Sequence, residues 1–151
     1  MSECIDARLV ILGEGTERQS LQALVEELNL AGKVDLPGFD PNPFMYLKRA
    51  DVYVLSSNYE GLPGSLIQAM ALGRPVVATA CAGGVRETLE DGKWGALVPV
   101  GDAERMAQAI LLGLQGGLPD PSPRANAFAV DQALDGYLSL LSLSDDDGCH
   151  G

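Results

Sequence analysis

The sequence predicts an α/β fold in which a parallel sheet is flanked by helices. Apolar runs without alternation, such as Leu9–Leu12 and Pro75–Thr79, are typical of strands that are buried on both faces of a parallel sheet. Segments with helical periodicity separate these runs one at a time, and turn residues lie at the junctions. Strands that alternate with single helices imply right-handed βα units.

Five strands are expected, at Leu9–Leu12, Val34–Phe39, Asp51–Ser56, Pro75–Thr79 and Ala96–Pro99. Six helices are expected: one after a Thr16–Gln19 capping box, one after an Asn42 N-cap, and others over Gly64–Leu72, Gly84–Leu89, the residues after an Asp102 N-cap, and Asn126–Leu141. The helix over Gly64–Leu72 is apolar almost all round, so we expect it to be buried.

Length and charge limit the classes of function. A chain of 151 residues suits one domain. Its 10 basic and 21 acidic residues give a net charge of −11, which argues against nucleic acid and anionic membrane surfaces as partners. Hydrophobic residues make up 46% of the chain, which is too many for a disordered acidic protein.

The cysteines and the ends of the chain predict a cytoplasmic protein. Cys4, Cys81 and Cys149 form no CxxC pair and no even-numbered framework, as is typical of a reducing compartment. Cys81 follows an apolar strand and is expected in the core. The sequence shows neither a secretory signal nor the ~20 apolar residues of a membrane helix. Residues 144–151 are expected to form a disordered acidic tail without a metal site.

The segment from Ser56 to Val77 carries the candidate chemistry. Gly61 and Gly64 allow the backbone to approach a ligand closely. The N–H groups of Gly64, Ser65 and Leu66 are expected to be free at the start of a helix, where they form an anion site worth about 1 kcal/mol.

Two side chains flank that predicted anion site. Gln68 lies four residues after Gly64 and so shares its helical face. Its amide is placed to reach a hydroxyl group of the bound ligand. Glu60, on the rim of the loop, offers acceptors for sugar hydroxyls.

This segment resembles the C-terminal half of the family 4 glycosyltransferases, which are retaining enzymes of the two-Rossmann-domain GT-B type. The family pattern is Glu, seven residues, a second Glu and then AMAxGxPV; this chain has EGLPGSLIQ at residues 60–68 and AMALGRPV at residues 69–76. The other matching segments are LVILGEG (9–15), VDLPGF (34–39), AGGVRE (82–87) and DGKWGALVP (91–99). The resemblance covers about Arg8 to Leu114.

The resemblance implies a Rossmann-like donor-binding domain with assigned site residues. Glu60 is the implied catalytic residue and contacts the donor sugar. The implied binding residues are Gly13, Gly15, Gly38, Phe39, Gly61, Leu62, Pro63, Gly64, Ser65, Leu66 and Gln68. Amides of residues 64–66 would hold the diphosphate, Gln68 the ribose, and the backbone near Gly38 and Phe39 the base. The loop at residues 13–15 would face the cleft. No cofactor and no metal is expected.

Three departures from the family pattern shape the expectation. Gln68 replaces the second Glu and loses its charge, although an amide still donates and accepts hydrogen bonds. The Arg and Lys that neutralise the diphosphate in the family have no counterpart upstream of Arg8. By comparison with the family pattern, we also expect residues 1–151 to lack the acceptor-binding N-terminal domain and the first, central strand of this half.

We therefore expect residues 1–143 to be a partial donor-binding domain for a nucleotide-diphosphate sugar, such as a UDP- or GDP-sugar. The chain alone should be inactive without the N-terminal domain, and the full enzyme would be cytoplasmic or peripheral to the membrane. Two alternatives stay open. One is a non-catalytic nucleotide-binding or interaction module, which the departures favour, and the other is half of a sugar-nucleotide epimerase.

Overall fold

The computed structural model describes residues 6–129 and residue 132, and it divides between Met45 and Tyr46 into two compact units. The first unit holds β1 (Leu9–Leu12), α1 (Arg18–Glu27) and β2 (Val34–Gly38), and the short helix α2 (Phe44–Leu47) spans the division. The second unit holds β3 (Tyr53–Leu55), β4 (Tyr59–Glu60), α3 (Gly64–Ala71), β5 (Val76–Thr79), β6 (Ala82–Gly83), α4 (Val85–Thr88), β7 (Ala96–Val98), α5 (Ala103–Leu114) and α6 (Ser122–Ala125). Two 3₁₀ turns lie at Glu90–Gly92 and Asn126–Phe128.

All strand pairs are parallel in the described part of the chain, which confirms the predicted α/β class. In the first unit β1 pairs with β2, and in the second unit the order is β3-β5-β7. A separate two-stranded sheet joins β4 to β6. The sequence predicted the five longer strands to within two residues at each end, but it missed β4 and β6.

The hydrophobic core lies in the second unit around β5. Val76, Val77 and Ala78 are 0% exposed and Thr79 is 3% exposed, as expected for the central strand of a parallel sheet. Completely buried side chains from α3, α4 and the residue after α4 complete this core; they include Leu66, Met70, Val85 and Leu89. Each fully buried aliphatic side chain of this size contributes about 1.5–3 kcal/mol.

The predicted burial of the third helix on all sides is wrong. Leu66, Ala69 and Met70 are 0% exposed, but Gln68 and Ala71 on the other face of α3 are exposed. α3 packs against β3, β5 and α6 with one face, so the remaining face keeps its contact with solvent.

The predicted capping box at the start of the first helix is also wrong. No capping box forms at Thr16, because α1 begins at Arg18 and its N-cap, Glu17, makes no side-chain cap. Arg18 pairs with Glu14 at 2.8 Å and donates to the Leu36 carbonyl at 2.7 Å. These contacts of Arg18, and not a helix cap, hold the loop that precedes α1.

The last helix was expected to begin at Asn126, but α6 covers Ser122–Ala125, Asn126–Phe128 form a 3₁₀ turn, and Ala129 is extended. The carboxylate of Asp120 accepts from the Ser122 N–H at 2.9 Å, and a proline lies in the first turn of α6. Residues 130–131 and 133–151, which include the rest of the predicted helix and the predicted tail, lie outside the described residues.

Three local predictions are confirmed. Asp102 caps α5 by accepting from the Arg105 N–H at 2.9 Å. Cys81 is a free, buried thiol that is 4% exposed. Asp91 and Gly92 form a turn with φ values of 53° and 100°. Within the described residues, no helix is both long and apolar enough to cross a bilayer.

Candidate functional site

The backbone of Glu60 is fixed by the pairing of β4 with β6. Glu60 faces Gly83 in this ladder, and its carbonyl accepts from the Gly84 N–H at 3.0 Å. Gly83 has a φ of 109°, and a Cβ there would overlap the Glu60 carbonyl oxygen. A Cβ on Gly84 would also lie 3.3 Å from Cδ of Pro63. The two glycines therefore let the chain pass directly beneath the Glu60 loop.

The Glu60 side chain is held by a serine that sequence reasoning did not select. The Ser57 hydroxyl donates to Oε1 of Glu60 at 2.7 Å. The buried Thr79 hydroxyl in turn donates to the Ser57 carbonyl, across from β5 to the end of β3. One sequence signal could have found Ser57: polar residues lie at the ends of both β3 and β5. Ligands of parallel sheets bind at the carboxyl ends of the strands.

The loop before α3 differs in detail from the prediction. Pro63 has φ −78° and ψ 71°, the values of an inverse γ-turn. The Gly64 N–H consequently donates to the Leu62 carbonyl at 2.8 Å. The prediction that this N–H is free is therefore wrong. Pro63 itself is completely buried and fixes the turn by packing.

The surface of this loop still presents unpaired donors. Among the described residues, no backbone acceptor pairs with the N–H groups of Gly61, Leu62, Ser65 or Leu66. Leu66 is 0% exposed, so its N–H lies below the surface, whereas the other three residues are exposed. The unpaired N–H groups that belong to exposed residues of this loop and of the first turn of α3 are thus those of Gly61, Leu62 and Ser65.

Tyr53 joins β3 to the first turn of α3, a contact that no local sequence pattern indicated. Its hydroxyl donates to the Ser65 Oγ at 2.7 Å. Burial raises the pKa of Tyr53, the nearby charge of Glu60 adds to the rise, and the hydrogen bond with Ser65 opposes it. The phenol is therefore neutral at physiological pH and serves as a fixed donor.

Gln68 lies one helical turn beyond Ser65 on the exposed face of α3. With Ile67 and Ala71 it lines one side of an open cavity of about 560 Å³, whose other side comes from α6 and residues 126–129. Within the described part of the chain, its amide has no hydrogen-bond partner. The amide is therefore available to a ligand.

The remaining predicted site residues lie in the first unit. The Gly13 N–H donates to the Gly38 carbonyl at 2.8 Å, and both glycines have positive φ values, of 115° and 87°. The loop at residues 13–15 lines a cavity of about 200 Å³ together with Arg18 and Leu36. Phe39 is 77% exposed. The structure thus brings Gly13 and Gly38 together within this unit.

Arg74 and Arg86, two arginines that follow the Glu60–Gln68 motif in the sequence, make contacts with residues outside it. Arg74 donates to the carbonyls of Leu72 and Ala50 at 3.1 and 3.2 Å, and Arg86 pairs with Asp91 at 3.3 Å. In the described residues, the site around Glu60 therefore offers backbone dipoles and hydroxyls to an anion.

These features coincide with a family match. Residues 2–127 match the family described as "Glycosyl transferases group 1", and the chain therefore belongs to this family of glycosyltransferases. The fold agrees with this assignment, because similar solved structures are GT-B glycosyltransferases.

Two curated relatives illustrate the match. The chain is 41% identical over 105 residues to the Campylobacter jejuni N-acetylgalactosamine-N,N'-diacetylbacillosaminyl-diphospho-undecaprenol 4-alpha-N-acetylgalactosaminyltransferase, covering 70% of this chain and 29% of that protein. It is 37% identical over 145 residues to the Rhizobium meliloti lipopolysaccharide core biosynthesis glycosyltransferase LpsE, covering 89% of this chain and 41% of that protein. The chain thus spans less than half the length of these relatives.

A crystal structure of a Staphylococcus aureus TarM variant in complex with fondaparinux, alpha-GlcNAc-glycerol and UDP is also similar. It has a TM-score of 0.77 and 28% identity, covering 88% of this chain and 28% of TarM.

Proposed function

We propose that this chain is the donor-binding part of a retaining, family 4 glycosyltransferase. It would bind a nucleotide-diphosphate sugar, and a separate N-terminal domain would bind the acceptor. The observation that carries the proposal is the juxtaposition in one loop of a fixed carboxylate, Glu60, with exposed, unpaired N–H groups at the start of α3. Family membership and the UDP complex of TarM support it.

The proposed roles follow the geometry of this loop. Glu60 accepts from hydroxyls of the donor sugar, and the N–H groups of Gly61, Leu62 and Ser65 hold the diphosphate. Gln68 hydrogen-bonds the ribose hydroxyls from the exposed face of α3. The base-binding role of Gly38 and Phe39 and the ligand-binding role of the loop at residues 13–15, both in the first unit, remain predictions from the resemblance.

The chemistry assigned to these groups is stabilisation of charge. Sugar transfer with retention releases a nucleoside diphosphate while positive charge develops at the anomeric carbon. Preorganised N–H donors stabilise the leaving diphosphate without reorganisation, and a carboxylate next to the sugar fixes its position. No metal is part of the proposal. Cations that complete the neutralisation would come from outside residues 8–129, so the chain alone should bind the donor without transferring it.

Calorimetry on the 151-residue chain tests the proposal. UDP, GDP and ADP are compared with their nucleosides, and UDP-glucose, UDP-N-acetylglucosamine, GDP-mannose and ADP-glucose with the matching diphosphates. We expect at least one diphosphate to bind more tightly than its nucleoside by about tenfold, since charge-assisted hydrogen bonds contribute about 1.5–3 kcal/mol. Equal affinities for diphosphates and nucleosides would contradict the proposal.

A pair of variants tests the role of Glu60. Glu60→Gln should weaken binding of the best nucleotide sugar by about tenfold and leave binding of the diphosphate unchanged. Glu104→Gln, at an exposed carboxylate of α5, is the matched control and should leave both unchanged. A Glu60→Gln variant that binds the sugar nucleotide normally would remove Glu60 from the site.

A second candidate function is a non-catalytic nucleotide-binding module. Gln68, which stands where the family has a charged residue, favours this candidate. The two functions separate when the chain is combined with an acceptor-binding domain of a close relative. Transfer or hydrolysis of the bound nucleotide sugar identifies an enzyme, whereas tight binding without turnover identifies a module.

A further inference from the structure

Two hydroxyl groups connect the core to the Glu60 carboxylate. Thr79, at the end of β5, is 3% exposed, and its hydroxyl donates to the Ser57 carbonyl. The Ser57 hydroxyl then donates to Oε1 of Glu60 at 2.7 Å. Ser57 is thus fixed from the core side and contacts the carboxylate on the other side.

The Glu60 backbone is fixed independently of Ser57. The ladder with β6 and the Gly84 N–H at 3.0 Å hold the Glu60 carbonyl. With its backbone held, Glu60 can still rotate its side chain. The hydrogen bond from Ser57 restricts this rotation. A hydroxyl–carboxylate bond of this length is charge-assisted and stronger than a neutral one.

The two carboxylate oxygens of Glu60 differ in their hydrogen-bond partners. Ser57 occupies Oε1, and Oε2 has no bond to another described residue. An ionised carboxylate only accepts hydrogen bonds, so Oε2 stays available for a hydroxyl of a ligand.

We propose that Ser57 is a positioning residue that directs Oε2 of Glu60 toward the donor sugar, with Thr79 holding Ser57 in place. This inference rests on the proposed function, because it takes Glu60 as the group that contacts the sugar. Ser57 lies outside the Glu60–Gln68 motif and acts through its hydrogen bond to the Glu60 carboxylate.

The test measures the sugar increment, defined as the ratio of the affinity for a nucleotide sugar to that for its diphosphate. It is measured by calorimetry on the 151-residue chain for the four nucleotide sugars named above. Ser57→Ala should reduce the increment about tenfold and leave diphosphate affinity unchanged. Ser57→Thr retains the hydroxyl and should restore the increment, a rescue that a purely structural role of the position would not require.

Two further variants make the result specific. Ser56→Ala, at the adjacent exposed serine, should leave the increment unchanged. In a Glu60→Gln background, Ser57→Ala should have no further effect on the increment, because Ser57 acts through the Glu60 carboxylate. Circular dichroism and the melting temperature verify that each variant is folded.

The outcomes separate this inference from the proposed function. A wild-type chain that binds nucleotide sugars no more tightly than their diphosphates overturns this inference, whereas equal affinities for diphosphates and nucleosides overturn the proposed function as well. An increment that persists in Ser57→Ala, or that Ser57→Thr fails to restore, overturns the role of Ser57 and leaves the donor site standing. Loss in Ser57→Ala with recovery in Ser57→Thr supports both.

Discussion

Gln68 is the single residue at which the candidate site departs most clearly from its family. It is exposed on α3 and its amide is unpaired among the described residues. An amide offers one acceptor oxygen and two donor hydrogens, whereas the carboxylate of the family pattern offers charged acceptors only. The difference bears on ribose binding, since ribose hydroxyls donate more strongly to a charged oxygen.

Gln68→Glu should therefore tighten binding of the preferred nucleoside diphosphate by about tenfold. Gln68→Ala is the control and should weaken it, because it removes both the acceptor and the donors. Calorimetry at constant salt gives both affinities. Equal affinity for wild type and Gln68→Glu would count against the ribose role.

Tyr53 gives a second residue-scale prediction, which concerns pH. Burial raises the pKa of Tyr53 above its ordinary value of about 10. The stabilisation by neutral Tyr53 is then fully present below about pH 10 and is lost as the pH rises through the higher folded-state value.

The melting temperatures of wild type and Tyr53→Phe should consequently converge as the pH rises above about 10. Thermal unfolding followed by circular dichroism below and above this pH measures the difference. Tyr59→Phe, at a tyrosine that is 71% exposed, is the matched control. Parallel profiles for wild type and Tyr53→Phe would show that Tyr53 does not ionise differently in the two states.

The sequence predicted roles for Glu60 and Gln68, which stay predictions, and it did not point to Ser57, Tyr53 or Thr79. Glu60 and Gln68 belong to one continuous motif whose spacing is visible in the chain. The bond from Tyr53 to Ser65 spans 12 residues, and that from Thr79 to Ser57 spans 22. Such partners depend on which strand lies beside which, and this information is absent from local sequence.

At the scale of secondary structure, the short ladder of β4 and β6 positions the site. Two-residue strands cannot form on their own, so the pairing depends on close backbone approach. Gly83 permits that approach because it has no Cβ and adopts a φ of 109°.

Gly83→Ala should lower the free energy of unfolding by about 1–3 kcal/mol, because the new Cβ would overlap the Glu60 carbonyl and the positive φ disfavours alanine. Urea denaturation provides the measurement. Gly61→Ala is the control, since a Cβ there meets no atom within 4 Å, and its stability should equal that of wild type. A stable Gly83→Ala protein would mean that the ladder is not needed for the fold.

The elements show where local patterns suffice and where packing intervenes. α3 was predicted to within one residue, since the turn at Pro63 and Gly64 and the following apolar run are local signals. Its burial was predicted wrongly, because the apolar composition does not reveal how many neighbours a helix has. β4 and β6 were missed, because two residues carry no measurable periodicity.

At the scale of the whole chain, burial is distributed unevenly between the two units. Among residues 6–45, Gly38 alone is buried, and α1 contains no buried residue. Several apolar side chains of this unit are exposed, including Leu9 at 48%, Leu24 at 46% and Leu28 at 54%. The second unit holds the buried core around β5.

Amide hydrogen exchange should reflect this difference, because segments with few buried apolar contacts open locally at low free-energy cost. Amides of β5 should exchange more slowly than those of β1 by about tenfold or more. Mass spectrometry of peptic peptides from the 151-residue chain measures both. Equal protection of β1 and β5 would contradict a core confined to the second unit.

The central claim is that uncharged main-chain donors at the start of α3 hold a diphosphate beside Glu60. Amide chemical shifts of the ¹⁵N-labelled chain, recorded during titration with UDP, GDP or ADP and with the corresponding nucleosides, test it most directly. The account predicts saturable shifts at Gly61, Leu62 and Ser65 with a diphosphate and none there with its nucleoside. Binding of a diphosphate that leaves these three amides unshifted would contradict it.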